Sequence, residues 1–536
     1  MQRAIAASPQ PEQAFLRKSS GLVRSAGAAD VFFFNLGLIS VGIAIALDQL
    51  FGPAFYPGGS VAGASVVAAI LMIPIGLTFY FWTVTYPRSG GPYVYLSRGA
   101  HPLLGFAFSV TESFILLFYG AVAAAFVATM GLSPLFAILG YETGSSALTS
   151  VSANVAGQWG IFTVGTVIIV IGGLLLISGM ARYFTVQRIL LGLAILGTLV
   201  TIGVLLSGSR SSFTNNFDSY IGKPGSYQAV IDAATKAGWT SSPVAFGATL
   251  TLLVWPLLPL LGAIQSIGIG GEIKRVTRSQ ILGIFAALAV ATVLLVAVAL
   301  LSDRVFGTDF QGAIAFNTLS GVSPATSITP WFTLLASLLA NNPVITIIIA
   351  GTMCLWPFFW VPLELAYVDR SMLAWSLDRM APEKLGYVSD RYHTPVVAIV
   401  VCMIVAIAFL ALYAFTPWFG TLSLIEALSI IWGACMLVGA LMPYLKRDVW
   451  AKSPAAKYQI AGVPLITISG LLGTAAFAYV IYLLWNDTVA AGHTNLSVGV
   501  QLGLFAAGLV AFLAVKYVRA RRGVDIAYAF KEIPVE

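Results

Sequence analysis

WPLLPLLGAIQSIGIGGEIKR, Trp255 to Arg275, lies in an apolar run long enough to cross a bilayer. It nonetheless carries Pro256 and Pro259, then Gly262, Gly268, Gly270 and Gly271, and it ends in charge. A proline inside a helix removes an N–H donor and clashes with the carbonyl four residues earlier. In lipid the freed backbone groups must find partners within the protein. A helix broken at the midplane presents N–H groups on one half and C=O groups on the other, and such groups bind an ion or a zwitterion. The alternative is a kink that only shapes packing.

The rest of the chain fits a membrane setting. Of 536 residues, 58% are hydrophobic and 9% charged, and the mean hydropathy is +0.91. A soluble protein would be about 25% charged. A spanning helix needs roughly 20 apolar residues. Twelve segments qualify, at about 31–51, 61–86, 101–130, 155–178, 187–207, 246–270, 280–302, 343–368, 396–416, 420–442, 462–485 and 497–518. The first thirty residues hold Arg3, Arg17, Lys18 and Arg24 without an apolar core or cleavage site, so no signal peptide is expected.

Placing the N-terminus in the cytoplasm puts 24 of the 28 Lys and Arg residues on the inside. That asymmetry predicts cytoplasmic termini and an even number of spans. The net charge of +7 is thus a topology signal, and no basic soluble face exists to bind nucleic acid. Cys354, Cys402 and Cys435 all fall inside spans and read as packing thiols. Neither a metal site nor a cofactor is expected.

The expected organisation is a cytoplasmic tail (1–30), one membrane domain (31–518) and a second cytoplasmic tail (519–536). Within the domain, spans one to five (31–207) and six to ten (246–442) form two halves, with spans eleven and twelve (462–518) added. The connections 208–245 and 303–342 are long enough for short helices on the outer face, and 369–395 for a continuation of span eight. The first span of each half is irregular: span one has Asn35, Gly37, Ser40 and Gly42, and span six has the prolines and glycines above. Interrupted segments at matching places in two halves point to a transporter site.

Four stretches resemble the amino acid–polyamine–organocation (APC) superfamily of permeases. YPRSGGPYVYLSRGAHPLLGF (Tyr86 to Phe106) is similar to the family's F-P-R-S-G-G-x-Y-x-Y-L-x-R. GEIKRVTRS (Gly271 to Ser279) is similar to E-E-V-K-N-P-x-R. DRSMLAWSLDRMAPEKL (Asp369 to Leu385) matches S-R-x-x-Y-A-M-A-R-D-G-x-L-P at Arg370, Asp378 and Pro382, and AGVPLITISG opens span eleven. The resemblance implies an all-α integral membrane protein of about twelve helices. It implies the five-plus-five inverted repeat of the leucine-transporter-like fold, with helices one and six broken and substrate held between them. It also implies alternating access. Aligned on the family's G-S-G-I-F, Ser40, Val41, Gly42 and Ile43 would hold a substrate carboxylate with their backbone N–H groups. Counting back from Glu272, Gly262 would be the unwound glycine, and Pro259, Leu260 and Leu261 would offer carbonyls to an amine. Only Gly42 and Ile43 match the first motif strictly. PLL replaces the aromatic or small residues usual before the glycine, and Ile264 and Gln265 stand where an acid is common. These departures suggest an unusual substrate.

Ionisable groups inside spans are functional candidates. Glu112, in SVTESFILLFYG of span three, is a candidate proton carrier or cation partner, or else a packing carboxyl. Asp48 reads as an interface residue near the outer end of span one, with a coupling role as the alternative. Glu364 reads as lying near the inner end of span eight, a gate or a partner of Arg370. Glu426 sits in the outer half of span ten. Thr352 would serve a sodium site, or bond its own helix backbone. His101, His393 and His493 are scattered and read as structural.

The function expected is a secondary transporter in the plasma membrane. Its substrate would be an amino acid, with neutral hydrophobic ones favoured by Trp255, Trp356, Phe358, Phe359 and Trp360, and its coupling ion H+, or else Na+. The alternatives are an amino-acid or polyamine exchanger or facilitator, and a nutrient sensor, which would usually carry a long soluble tail. A channel would need a symmetric pore. An enzyme would need clustered catalytic groups, and none is evident.

Overall fold

The computed structural model describes residues 20–322, 324–490, 492–523 and 526–530. Arg3, Arg17, Lys18 and Lys531 of the charge count lie outside these residues, as does most of the first tail. Among the described residues eleven helices are long and apolar enough to cross a membrane, and one bent pair makes a twelfth. The protein is an all-α multi-span membrane protein. Its one sheet among the described residues is a hairpin of Gln459–Ile460 with Val463–Pro464, turning through Ala461 and Gly462, both at positive φ.

The spans fall where the hydropathy puts them, with three differences. Span three runs as Pro102–Thr143 and span eight as Pro343–Leu377, each well past its expected end. Span three continues through a π-helical turn, Val127–Leu132. Pro134 cannot donate to the carbonyl of Met130, four residues back, and that carbonyl accepts the Thr333 hydroxyl instead at 2.7 Å. Span eight continues because Asp369 and Arg370, which look like interface charges, are paired and fully buried. Span five begins earlier, at Met180.

Span six follows five crossings and therefore starts from the face opposite the one where span one starts. The short helix Gly91–Gly99 follows span two. Thr308–Leu319 and Phe332–Ala340 follow span seven on the other face. Helices Arg210–Ile221 and Ser226–Lys236 join them there through Phe213, Phe217, Tyr227 and Phe310. Spans one and three are central, with 83% and 78% of their apolar windows buried, whereas span twelve, at 17%, faces outward.

Both expected breaks exist. Span one is Ala28–Ile39 and Val41–Phe55, separated by Ser40 in the left-handed region at φ 47°. A non-glycine residue there costs of order 1 kcal/mol or more and persists only when its surroundings hold it. The second half-helix begins with no side-chain cap. Span six is Phe246–Leu252 followed, after a 45° bend, by Val254–Gly268. Pro256 sits four residues after Leu252 and sets the bend at Leu253, about two turns before Gly262. From Leu261 to Gly268 the chain is a 3₁₀ helix of eight residues, beyond the usual 3–4. Asn35 Oδ1 accepts the Ser266 N–H at 2.9 Å, and Gln280 donates to the Ser266 hydroxyl at 2.9 Å.

Candidate substrate cavity and its closures

The two breaks touch. A Cβ on Gly262 would collide with backbone atoms of Leu38 and Ile39, so glycine is what lets span six cross span one here. Gly42 lies under Trp356, whose Cδ1 would stand 2.6 Å from an added Cβ. Trp356 Nε1 donates to Thr198 of span five at 3.1 Å. Ser40, Val41, Gly42 and Ile43 are all buried, and none of them forms the wall of the cavity described next.

That cavity, about 510 Å³, opens beside the crossing. Its wall is apolar and aromatic: Phe51 of span one, Phe118 and Phe126 of span three, Trp255 of span six, Trp360 of span eight and Trp432 of span ten among others. Pro259 and Leu261 reach the wall; Leu260 and Gly262 do not. Trp331, Gly420 and Ala490 come from connections on the face opposite the tails. Glu364 is the one charged side chain on the wall among the described residues. It stands mid-helix in the longer span eight, not near an inner end, because that span extends to Leu377. Trp360 Nε1 donates to its Oε1 at 2.7 Å, while Oε2 has no hydrogen-bond partner. Gln265 shares the wall, its amide oxygen also unpartnered.

Glu112 lies one side chain behind the wall. Its Oε1 accepts from Tyr367 at 2.9 Å and from Trp432 at 2.8 Å, and its Oε2 is unpartnered. Tyr367 is one turn beyond Glu364, and the two carboxyls are in electrostatic reach of each other. The other two candidates lie elsewhere. Asp48 is 1% exposed, buried within the helix bundle, and both its oxygens are unpartnered. Thr352 presses on Gly197 of span five, away from the cavity.

The tail face is shut. Arg370, 0% exposed, donates to Glu272 at 2.8 and 3.3 Å and to Asp369 at 2.7 and 2.8 Å. Its partners are therefore these two acids and not Glu364, which sits about two turns back along the helix. The carbonyl of Glu272 accepts the N–H groups of Ser25 and Ala26, and Lys274 N–H returns to Ala26. Gly90 N–H donates to Gly268 at 2.9 Å. Arg98 pairs with Asp378 at 2.6 Å, Tyr93 donates to the same carboxylate at 2.8 Å, and the Phe530 ring lies 5.0 Å from the Arg98 guanidinium. Both tails thus meet one face. In the sequence Asp378 stands out only as a family position and Arg370 as that and a partner of Glu364; the pairings give both work to do at this face.

Two broken spans crossing beside a cavity that is closed toward one face define a membrane transporter. The family model for amino acid permeases matches residues 28–512. The chain belongs to this family, within the APC superfamily, and the fold and the family agree on an amino acid transporter. No curated protein is similar enough in sequence to be matched to it.

Proposed function

We propose that the chain carries an amino acid with a bulky apolar side chain across the plasma membrane by alternating access, coupled to a proton. The observation behind this reading is the cavity wall, with its many aromatic rings and, among the described residues, one carboxylate and no basic group. The unpartnered oxygen of Glu364 receives the substrate ammonium, and neighbouring rings add cation–π attraction. The apolar wall takes the side chain. The substrate carboxylate is received by the uncapped first turn at Ser40, Val41, Gly42 and Ile43, a helix N-terminus suited to an anion, once spans one and six part. Carbonyls near Pro259, Leu260 and Leu261 complete the amine site, since Pro259 leaves the Trp255 carbonyl without its helical donor. The lysine and arginine bias supports cytoplasmic tails.

Glu112 and Glu364 each keep one free oxygen, Glu364 on the cavity wall and Glu112 behind Trp432. Such a pair can take a proton from one side and release it to the other as substrate enters and leaves. Asp48 and Thr352 have no part in this scheme. A second reading, transport of an amine that lacks a carboxylate, is favoured by the absence of any basic side chain on the wall among the described residues.

The test is uptake of a labelled panel of amino acids and amines into proteoliposomes, with and without an inward proton gradient. The proposed reading expects gradient-driven accumulation of a large neutral amino acid. Glu364→Gln should lower uptake at least tenfold, the scale of one charge-assisted hydrogen bond (about 1.5–3 kcal/mol). Glu112→Gln should leave exchange intact and abolish the response to the gradient. Accumulation of amines alone would replace the first reading with the second. Gradient-driven uptake unchanged in Glu112→Gln would end the proton assignment.

A further inference from the structure

Spans eleven and twelve lie outside the two five-span halves, yet this part of the chain reaches the cavity rim twice, once from the connection and once from span twelve. In the first contact, Asp487 splits its two oxygens. Oδ1 accepts the N–H groups of Val489 at 2.7 Å and Ala490 at 2.9 Å, which folds the loop so that Ala490 reaches the cavity wall. Oδ2 accepts the hydroxyl of Tyr56, at the exit of span one. That hydroxyl in turn accepts Trp255 Nε1 of span six at 2.8 Å, and the Trp255 ring stacks on Phe51 of span one with centroids 4.2 Å apart. In the second contact, Ser423 of the wall donates its N–H to Ser497 of span twelve at 3.1 Å. Gln501 donates to the Ser423 carbonyl at 3.1 Å and to Glu426 at 3.2 Å.

The direction of the first chain matters. A tyrosine hydroxyl has one hydrogen and two lone pairs. With its hydrogen committed to Asp487, a lone pair is turned toward Trp255, so the acid on the loop sets the geometry that ties the exit of span one to span six. Those two elements must separate for the cavity to open on the face opposite the tails.

We infer that the stretch 487–490, directly after span eleven, is the latch of the cavity mouth opposite the tails, with Asp487 as its positioning residue. This rests on the alternating-access reading. The residue acts through Tyr56 and Trp255 and does not touch substrate. Without the latch the mouth stands open more of the time, and the step that closes it over substrate slows.

The experiment reads accessibility directly, without needing the substrate. A single cysteine at Leu47, a wall residue, is placed in a chain with Cys354, Cys402 and Cys435 replaced. A membrane-impermeant thiol reagent is added on the side opposite the tails. Asp487→Ala and Tyr56→Phe should each speed labelling about tenfold, the effect of losing one hydrogen bond to a charged acceptor. Asp487→Asn keeps an acceptor oxygen for Tyr56 and should label near the parent rate. In uptake, the first two should lower kcat without raising KM. Parent-rate labelling in Asp487→Ala or Tyr56→Phe overturns the latch, whatever happens to uptake. So does Asp487→Asn labelling as fast as Asp487→Ala, because the acceptor would then not be what matters. A variant that loses its size-exclusion peak is replaced by Tyr56→Phe, which deletes a single oxygen. Failure of the transport reading would show as absent uptake in every background, with the labelling contrast still measurable.

Discussion

Arg370→Met abolishes uptake and lowers the stability of the purified protein by about 3–5 kcal/mol, the usual cost of removing one member of a buried ion pair. The size follows from what is left behind. Arg370 is fully buried and holds Glu272 and Asp369 with four contacts of 2.7–3.3 Å. Removing it leaves two carboxylates in a dry interior with no cation between them. Glu272 also anchors the chain at Ser25 and Ala26 through its carbonyl, so the damage reaches the segment that enters span one. Arg370→Lys should be intermediate, since an ammonium cannot reproduce the guanidinium fork. Thermal unfolding in detergent measures the stability. The triple change Arg370→Met, Glu272→Gln, Asp369→Asn separates two roles. It should recover most of the stability, because no charge is left unpaired, and leave uptake low, because the tail-face closure is gone. Full uptake by the triple variant would show that the cluster is scaffold and not gate.

Span positions were legible because each span is a long apolar run, and apolar length is a local property. The break in span six was legible for the same reason: Pro256, Pro259 and Gly262 act within one turn of themselves. Ser40 was placed by family alignment and glycine spacing, but nothing in its own chemistry announces a left-handed backbone, which the packing of span one against span six imposes. The ends of spans three and eight were misjudged where the local rule is overridden at a distance. Asp369 and Arg370 look like a membrane boundary until Glu272, nearly a hundred residues earlier, is brought against them. Glu364 was displaced toward an inner end by the same error. The cavity itself could not be read locally, since Phe126, Trp331, Trp360 and Trp432 come from four separate elements. Trp255 stands out in the sequence as aromatic bulk and Gln265 as a departure from the family pattern, and both line the wall.

Gly262→Ala, the smallest change available, should lower uptake by about 100-fold or more while leaving membrane insertion intact. Misplacement of a binding site by about 1 Å carries a penalty of that order. The added methyl meets backbone, not a side chain that can swing away: Leu38 and Ile39 of span one stand in its path, with the Leu38 carbonyl oxygen at 2.6 Å. Either the two broken spans move apart or the 3₁₀ segment shifts, and each outcome disturbs the carbonyls and amides proposed to hold substrate. The stability cost should be modest, about 1–3 kcal/mol for overpacking, so the protein is made and inserted. Gly42→Ala makes a graded comparison. Its methyl meets the Trp356 side chain, which can yield at the expense of its bond to Thr198, so uptake should fall less. Gly203→Ala in span five, where an added Cβ meets nothing within 4 Å, should match the parent. The order Gly203, Gly42, Gly262 in rising severity, read from initial uptake rates at equal surface expression, is what a site built on backbone contact requires. A Gly262→Ala variant transporting at the parental rate would show that the spans do not need to cross this closely, and would move the substrate site to the aromatic cavity alone.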